Sequence, residues 1–305
     1  MVVEKYLLCR PQGGLNDMLC QIEKCFRYAQ ASKRILIIET DYHGSSYFSD
    51  SMSKYFVSCR SNLLLGAVEY IPDFDQLDVF PRFLYGRVSS YSVIWNKKYQ
   101  YFYDDVIGEK ITFDFSMDYN ESLLVHHQLG GGSLSLWALS RLRVHEDVIE
   151  ELLKRIKLIS KPYAAIHIRN TDHETDYRQH LDHLNQTIQA PIFVATDNAD
   201  TLRECKAVFG ADRVYSFARR LSSTLGTPLH LNFVHGTEVT ERNQDAILDL
   251  LMLALSSSLY IFQIKNCAYS KYSGFSRLAH SLNNSKLLLR HILSSNLSIE
   301  RVVEV

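Results

Sequence analysis

An alternation that begins at Tyr163 constrains this chain more than any other feature. Short apolar, β-prone runs take turns with stretches whose apolar residues recur at helical spacing. The runs 164–168, 192–196, 213–217 and 259–264 read as strands. Helices are predicted around 181–188, over 199–209 with Gly210 as the stop, and from the polar start Thr240-Glu241-Arg242-Asn243 through Asp249 to Leu255. A further helix starts at Ser273-Gly274. Repeated βα units imply parallel strands with right-handed crossovers, and therefore one shared carboxyl edge. The four runs end near polar groups: Arg169 to Asp172, Asp197, Ala218 to Arg220, and Ser270 to Ser273. Ligands of open α/β sheets bind at that edge, so a nucleotide-type site is expected there. The glycine-, serine- and histidine-rich loop 218–238 is long enough to suggest a functional role.

The first of these strands carries the richest chemistry. Ala164-Ala165-Ile166-His167-Ile168 is followed at once by Arg169-Asn170-Thr171-Asp172. An arginine at a strand end suits a phosphate, because its planar fork stays charged and donates parallel hydrogen bonds. An arginine paired with Asp172 on a solvated loop explains the same residues equally well.

The amino-terminal half repeats the theme once. A strand at 6–9 breaks at Arg10-Pro11-Gln12-Gly13-Gly14, and Leu15, Leu19, Ile22, Cys25, Phe26 and Ala29 then fall at helical spacing before a strand at 34–40. Paired glycines before a helix let backbone amides approach an anion. The motif is neither GxGxxG nor a Walker P-loop, and a plain tight turn would serve as well. Beyond it, 68–71 and 92–95 read as strands. Tyr99, Tyr101, Phe102 and Tyr103 form an aromatic cluster of the kind that lines carbohydrate or interface surfaces, although core packing is its commoner fate. Asp73-Phe74-Asp75 has the spacing to hold a divalent ion beneath a nucleotide diphosphate, with a solvated turn as the commoner alternative. Gly130-Gly131-Gly132-Ser133 reads as a flexible joint, and 145–159 as a bridging helix. The expected division is an amino-terminal α/β domain, 1–155, and a carboxy-terminal Rossmann-like domain, 156–305.

Composition narrows the class of partner. A formal net charge of -1 argues against nucleic acid, whose backbone requires a basic surface. The six cysteines show neither CxxC pairing nor zinc-like spacing and read as thiols of a reducing compartment. The amino terminus is too short and charged for a signal peptide. The apolar run 246–264 approaches membrane length, but Asp249 and Ser256-Ser257-Ser258 interrupt it, so a buried helix followed by a buried strand is expected.

Five segments recur in the order of a known family: Gly13-Gly14-Leu15-Asn16-Asp17 before a helix, His167-Ile168-Arg169-Asn170-Thr171-Asp172, Ala195-Thr196-Asp197-Asn198, Ile247-Leu248-Asp249, and Tyr272-Ser273-Gly274-Phe275-Ser276-Arg277-Leu278-Ala279. Together they resemble the fucosyltransferase superfamily of α-1,6, nodulation-factor, α-1,2 and protein O-fucosyl enzymes. Residues 41–155 lie outside the resemblance. It implies an α/β fold of GT-B-like type, two Rossmann-type domains with a nucleotide-sugar cleft between them. It also implies a metal-independent, inverting transfer of fucose from GDP-fucose to a glycan hydroxyl, with no cofactor. The acceptor would be an oligosaccharide or glycolipid, on the side of the amino-terminal domain.

By the same resemblance Arg169 meets the donor's β-phosphate, His167 belongs to the donor site, Asp249 lies near the base, and Ser273 and Gly274 donate to phosphate. Gly13, Gly14, Asn16, Asp197 and Arg277 complete the donor-site candidates, and no metal ligand is implied. Asn170 stands where the α-1,6 enzymes have a second arginine, and Gly274 replaces a longer polar residue. For a general base, Asp172, Glu174 and Asp176 cluster just past Arg169; Glu174 or Asp176 is favoured, with Asp172 orienting the loop. The alternatives are a same-fold transferase with another nucleotide sugar, a metal-dependent one using Asp73 and Asp75, and a non-catalytic nucleotide- or sugar-binding protein. A cytoplasmic enzyme of surface-polysaccharide synthesis, peripheral at the inner membrane face, is the expected setting by analogy.

Overall fold

Two parallel sheets organise the chain, one in each of two compact units, 1–143 and 144–305. The structure is a computed structural model and describes residues 4–42, 48–66, 73–159, 161–219, 221, 237–265 and 271–294. The expected strand at 68–71 and most of the loop 218–238 lie outside these residues.

In the first unit, β1 (Tyr6–Cys9) leads through the glycine turn to α1 (Leu15–Ala31) and β2 (Ile35–Ile38). Short strands β3 (Phe56–Ser58), β4 (Leu63–Leu65) and β5 (Val79–Phe80) follow. The antiparallel ribbon of β6 (Val93–Asn96) and β7 (Tyr101–Asp104) comes next, then β8 (Leu123–His126), α2 (Ser135–Leu139) and β9 (Leu142–Val144). The main sheet has the order β4-β2-β1-β8-β5 and is parallel throughout. Every residue of β1 and β8 is buried, as expected of central strands covered on both faces. Tyr6, Leu8, Ile37, Leu123 and Val125 share one core cluster, and α1 packs on β1 and β2.

The second unit begins with α3 (Glu146–Ile159), followed by β10 (Ala164–Ile168), α4 (Arg178–Thr187), β11 (Ile192–Thr196), α5 (Ala199–Phe209) and β12 (Val214–Tyr215). Then come α6 (Thr237–Leu255), β13 (Ser258–Ile261), α7 (Gly274–Asn283) and α8 (Lys286–Leu293). The sheet order is β12-β11-β10-β13, again parallel. Alternation along β10 sends Ala164, Ile166 and Ile168 into the core shared with α4 and α5. His167 therefore points to the opposite face, where α6 and α7 pack on the sheet.

The fold is α/β, as the alternation predicts. The division falls ahead of the expected joint at 155/156, so α3 belongs to the second unit. Gly130–132 is no joint. The Gly130 carbonyl accepts from Gln21 Nε2 at 2.5 Å, and a Cβ on Gly131 would stand 2.6 Å from Asp17 Oδ1, so this loop lies tightly on α1. The apolar run 246–264 is the end of α6 followed by β13, and no helix among the described residues is long and apolar enough to cross a membrane.

Candidate functional site

β10 lies between β11 and β13, so the chain order reverses at β10, the position at which open α/β sheets bind their ligands. Arg169 is the first residue past β10. Its Nε lies 2.7 Å from Asp172 Oδ1 and 3.3 Å from Asp197 Oδ2, and the side chain keeps about a fifth of its surface exposed. Burial alone would raise the Asp172 carboxyl, but the hydrogen bond and charge of Arg169 outweigh it and leave the group below its usual range.

Asp197 organises the loop behind the guanidinium. It accepts from the Asn170 amide at 2.8 Å and from Thr171 Oγ1 at 2.7 Å. The Asn170 side chain is buried and donates to Thr201 Oγ1 at the start of α5, where Asn198 caps the helix by accepting from the Thr201 amide. Asn170 is thus a structural tie between β10 and α5.

A second chain of hydrogen bonds joins β10 to α7. His167 Nδ1 lies 2.7 Å from Ser276 Oγ, which lies 2.8 Å from Ser273 Oγ. Ser273 caps α7 by accepting from the Ser276 amide at 3.0 Å. Burial and then the Arg169 charge push His167 down to about 3, so its imidazole is neutral at ordinary pH. The start of α7 at Gly274 is the positive end of a helix dipole, an arrangement suited to an anion.

The expected acids stand on the loop that follows. Thr175 bridges antiparallel to Ile264, just past β13, and Asp176 Oδ1 accepts from the Gln263 amide at 2.8 Å. Its Oδ2 accepts from Gln179 Nε2 at 3.0 Å. Glu174 pairs with Lys265 at 2.6 Å, and that hydrogen bond and charge hold its carboxyl below the usual range. Both acids therefore also fasten the loop 172–177 to the end of β13.

Other candidates lie elsewhere. Arg277 is exposed on α7. Asp249 sits on α6 opposite Arg155 of α3, 3.7 Å from Nη1, and burial pushes its carboxyl up to about 7. Arg155 is committed to Asp245 at 2.5 Å, and Arg219 joins the same carboxylate at 3.0 Å. Gly13, Gly14 and Asn16 belong to the first unit. Gly13 takes φ +100°, where a side chain would be strained, whereas the space beside Gly14 is open. Asn16 is buried and accepts from Ser135 Oγ at 2.8 Å. Asp73 and Asp75 each accept from a backbone amide, of Asp75 and of Ser89 respectively. Among the described residues no group of three or more His, Cys, Asp or Glu side chains is placed to hold a metal ion.

Sequence reasoning missed a buried polar cluster at the switch point of the first sheet, past β1 and β8. His127 is clasped by Tyr42 Oη at 2.8 Å and Tyr91 Oη at 3.0 Å, and Gln12 Nε2 donates to Tyr42 Oη at 2.6 Å. The Arg10 guanidinium stands 4.7 and 4.8 Å from the centres of the Tyr42 and Tyr91 rings and is paired with Glu39 at 2.6 Å. Burial, then the charges of Arg10 and His126, hold His127 neutral. The available signal was a short apolar run, Leu123-Leu124-Val125, ending in His126-His127-Gln128.

No family model matches the chain, and no curated protein matches it in sequence. Solved structures match its fold over nearly the whole length. The fucosyltransferase NodZ from Bradyrhizobium is 16% identical, with a TM-score of 0.56 over 92% of this chain and 93% of the other. NodZ α-1,6-fucosyltransferase soaked with GDP-fucose is 14% identical, with a TM-score of 0.56 over 92% of each chain. POFUT1 in complex with GDP-fucose is 13% identical, with a TM-score of 0.51 over 91% of this chain and 94% of the other. The fold is thus GT-B-like α/β, like that of these enzymes.

Proposed function

We propose that the chain is a glycosyltransferase that moves fucose from GDP-fucose to a glycan hydroxyl with inversion and without a metal. The observation that carries this reading is the seat of Arg169 at the switch point of the second sheet, on the strand that His167 and Ser276 tie to the start of α7. One structure of the same fold is in complex with GDP-fucose and another was soaked with it, which supports that donor.

In the transfer, the acceptor oxygen bonds to the anomeric carbon as the bond from that carbon to the diphosphate breaks. The leaving charge is met by Arg169 and by the amides at Gly274, both fixed before the reaction begins. The acceptor proton passes to Glu174 or Asp176. Neutral His167 holds the start of α7 against β10 and adds no charge of its own. The first unit takes the acceptor, an oligosaccharide or glycolipid, and the enzyme works in the cytoplasm at the inner membrane face.

Calorimetric titration with GDP and UDP, followed by turnover of GDP-fucose in excess chelator, tests the reading. GDP should bind at least tenfold more tightly than UDP, and transfer should persist in chelator. Preference for UDP would replace the donor, dependence on added metal would restore the metal mechanism, and GDP binding without any turnover would make the chain a binding protein.

A further inference from the structure

The aromatic cluster at 99–103 is not absorbed by the donor site, and its placement is unusual for a core element. In the β6–β7 ribbon Trp95 pairs with Phe102 and Ile94 with Tyr103, so alternation sorts the ribbon into two faces. Phe102 is buried, with its ring tilted against that of His127 at 5.3 Å between centres, and fixes the inner face. The outer face carries Ile94, Asn96, Tyr101 and Tyr103. The solvent face of an antiparallel ribbon is ordinarily polar. Here Ile94 is 48% exposed and Tyr101 40%, and Tyr99 in the turn is 54% exposed. Single exposed apolar residues are common, but a contiguous patch of them marks a binding surface.

Charge identifies the occupant. The stretch 93–103 holds Lys97 and Lys98 and no carboxylate. Lys98 Nζ stands 5.0 Å from the Tyr99 ring centre, and Lys110 Nζ stands 3.8 Å from that of Tyr101. The nearest acid in sequence, Asp104, is buried and paired with Arg87 at 2.5 Å, and Asp105 and Glu109 follow it at the far end of the ribbon. A sugar platform would need acceptors and amides beside its rings. The two amides beside them serve the turn itself: Asn96 Oδ1 accepts from the Lys98 and Tyr99 backbone, and Gln100 Nε2 donates to the Lys97 carbonyl. Tyrosines that present an apolar body with a polar tip, each with an ammonium group over its ring at Tyr99 and Tyr101, match the headgroup level of an anionic bilayer.

We propose that the outer face of this ribbon docks on an anionic lipid surface, with Ile94, Tyr99 and Tyr101 entering the headgroup region and Lys97, Lys98 and Lys110 meeting lipid phosphates. This names the surface behind the peripheral-membrane setting proposed above, and it needs none of the donor chemistry.

The test is sedimentation of the full chain with vesicles of phosphatidylglycerol and phosphatidylcholine compared with pure phosphatidylcholine, with thermal unfolding measured in parallel to verify the fold and GDP binding measured separately to follow the donor site. Binding to the anionic vesicles alone, weakened by salt, is expected. A lysine near such a surface contributes roughly a fivefold factor in partition, so Lys97→Glu with Lys98→Glu should weaken binding at least tenfold. Tyr99→Ser with Tyr101→Ser should weaken it at constant charge, and both double variants should keep GDP affinity. Equal binding to the two vesicle types, no binding to either, or double variants that bind like the parent would each overturn the proposal. Displacement of the chain from vesicles by a soluble oligosaccharide would also overturn it and make the ribbon a glycan platform.

Discussion

His167 Nδ1 and Ser276 Oγ, more than a hundred residues apart in sequence, lie 2.7 Å from each other and lock a sheet strand to the start of a helix. The imidazole is buried and neutral, so removing its partner leaves a polar atom without water or protein to satisfy it. Ser276→Ala should therefore destabilise the second unit by about 1–3 kcal/mol in urea unfolding and raise KM for the donor more than it lowers kcat. Unchanged stability together with an unchanged KM would show that the contact positions nothing.

Arg169→Ala removes the only charge assigned to the leaving diphosphate. At contact distance and an effective dielectric near 20, that charge is worth roughly 4 kcal/mol, or about a thousandfold in rate. Arg169→Lys should recover little, because an ammonium cannot hold both Asp172 and Asp197 by one planar edge while facing a ligand. Thermal unfolding of both variants separates loss of chemistry from loss of fold. An alanine variant with near-parental turnover would remove the centre of the mechanism.

The acids on the following loop make a sharper prediction about pH. A general base must be ionised, so kcat/KM falls as pH drops through its pKa. Lys265 holds Glu174 below the usual range, which places that acid limb low; Lys265→Met should move it to higher pH if Glu174 is the base. Glu174→Gln should then abolish the limb. Asp176→Asn tests the other candidate and should also loosen the loop from Gln263. Parental pH profiles in both Glu174→Gln and Asp176→Asn would exclude the pair.

What the sequence disclosed depends on the range of the interaction. The carboxy-terminal sheet was legible because each strand is an apolar run closed by polar residues, and a parallel sheet converts that pattern into one edge. The edge position of Arg169 followed from this pattern; its pairing with Asp172, three residues away, was the sequence's alternative to a phosphate-binding role, and the structure shows that pair. The tie from Asn170 to Thr201 and the commitment of Arg155 to Asp245 were not legible, since each joins elements whose relative placement no local pattern fixes. The first sheet was only half read. β8 and the His127 cluster are flanked by segments without period, and β5 has only two residues. Gly130–132 read as a joint because glycine signals freedom and close approach alike, and here close approach to Asp17 is the reason.

Asp249 carries the last prediction. Burial raises its carboxyl from an ordinary 3.8 to about 7, against the opposing pull of Arg155, so the folded chain holds a proton there that the unfolded chain releases near pH 4. Between these two values the native state binds more protons than the unfolded state, so stability falls as pH rises from about 4 to about 7 and is flat beyond. The full span is on the order of a few kcal/mol at most, because the side chain is 13% exposed and Arg155 stands nearby. Asp249→Asn cannot ionise, so its stability in urea should change less between pH 5 and pH 8 than that of the parent, and the variant should gain most at pH 8. A parental slope in the asparagine variant would show that Asp249 is ionised throughout, held by Arg155 as an ordinary ion pair.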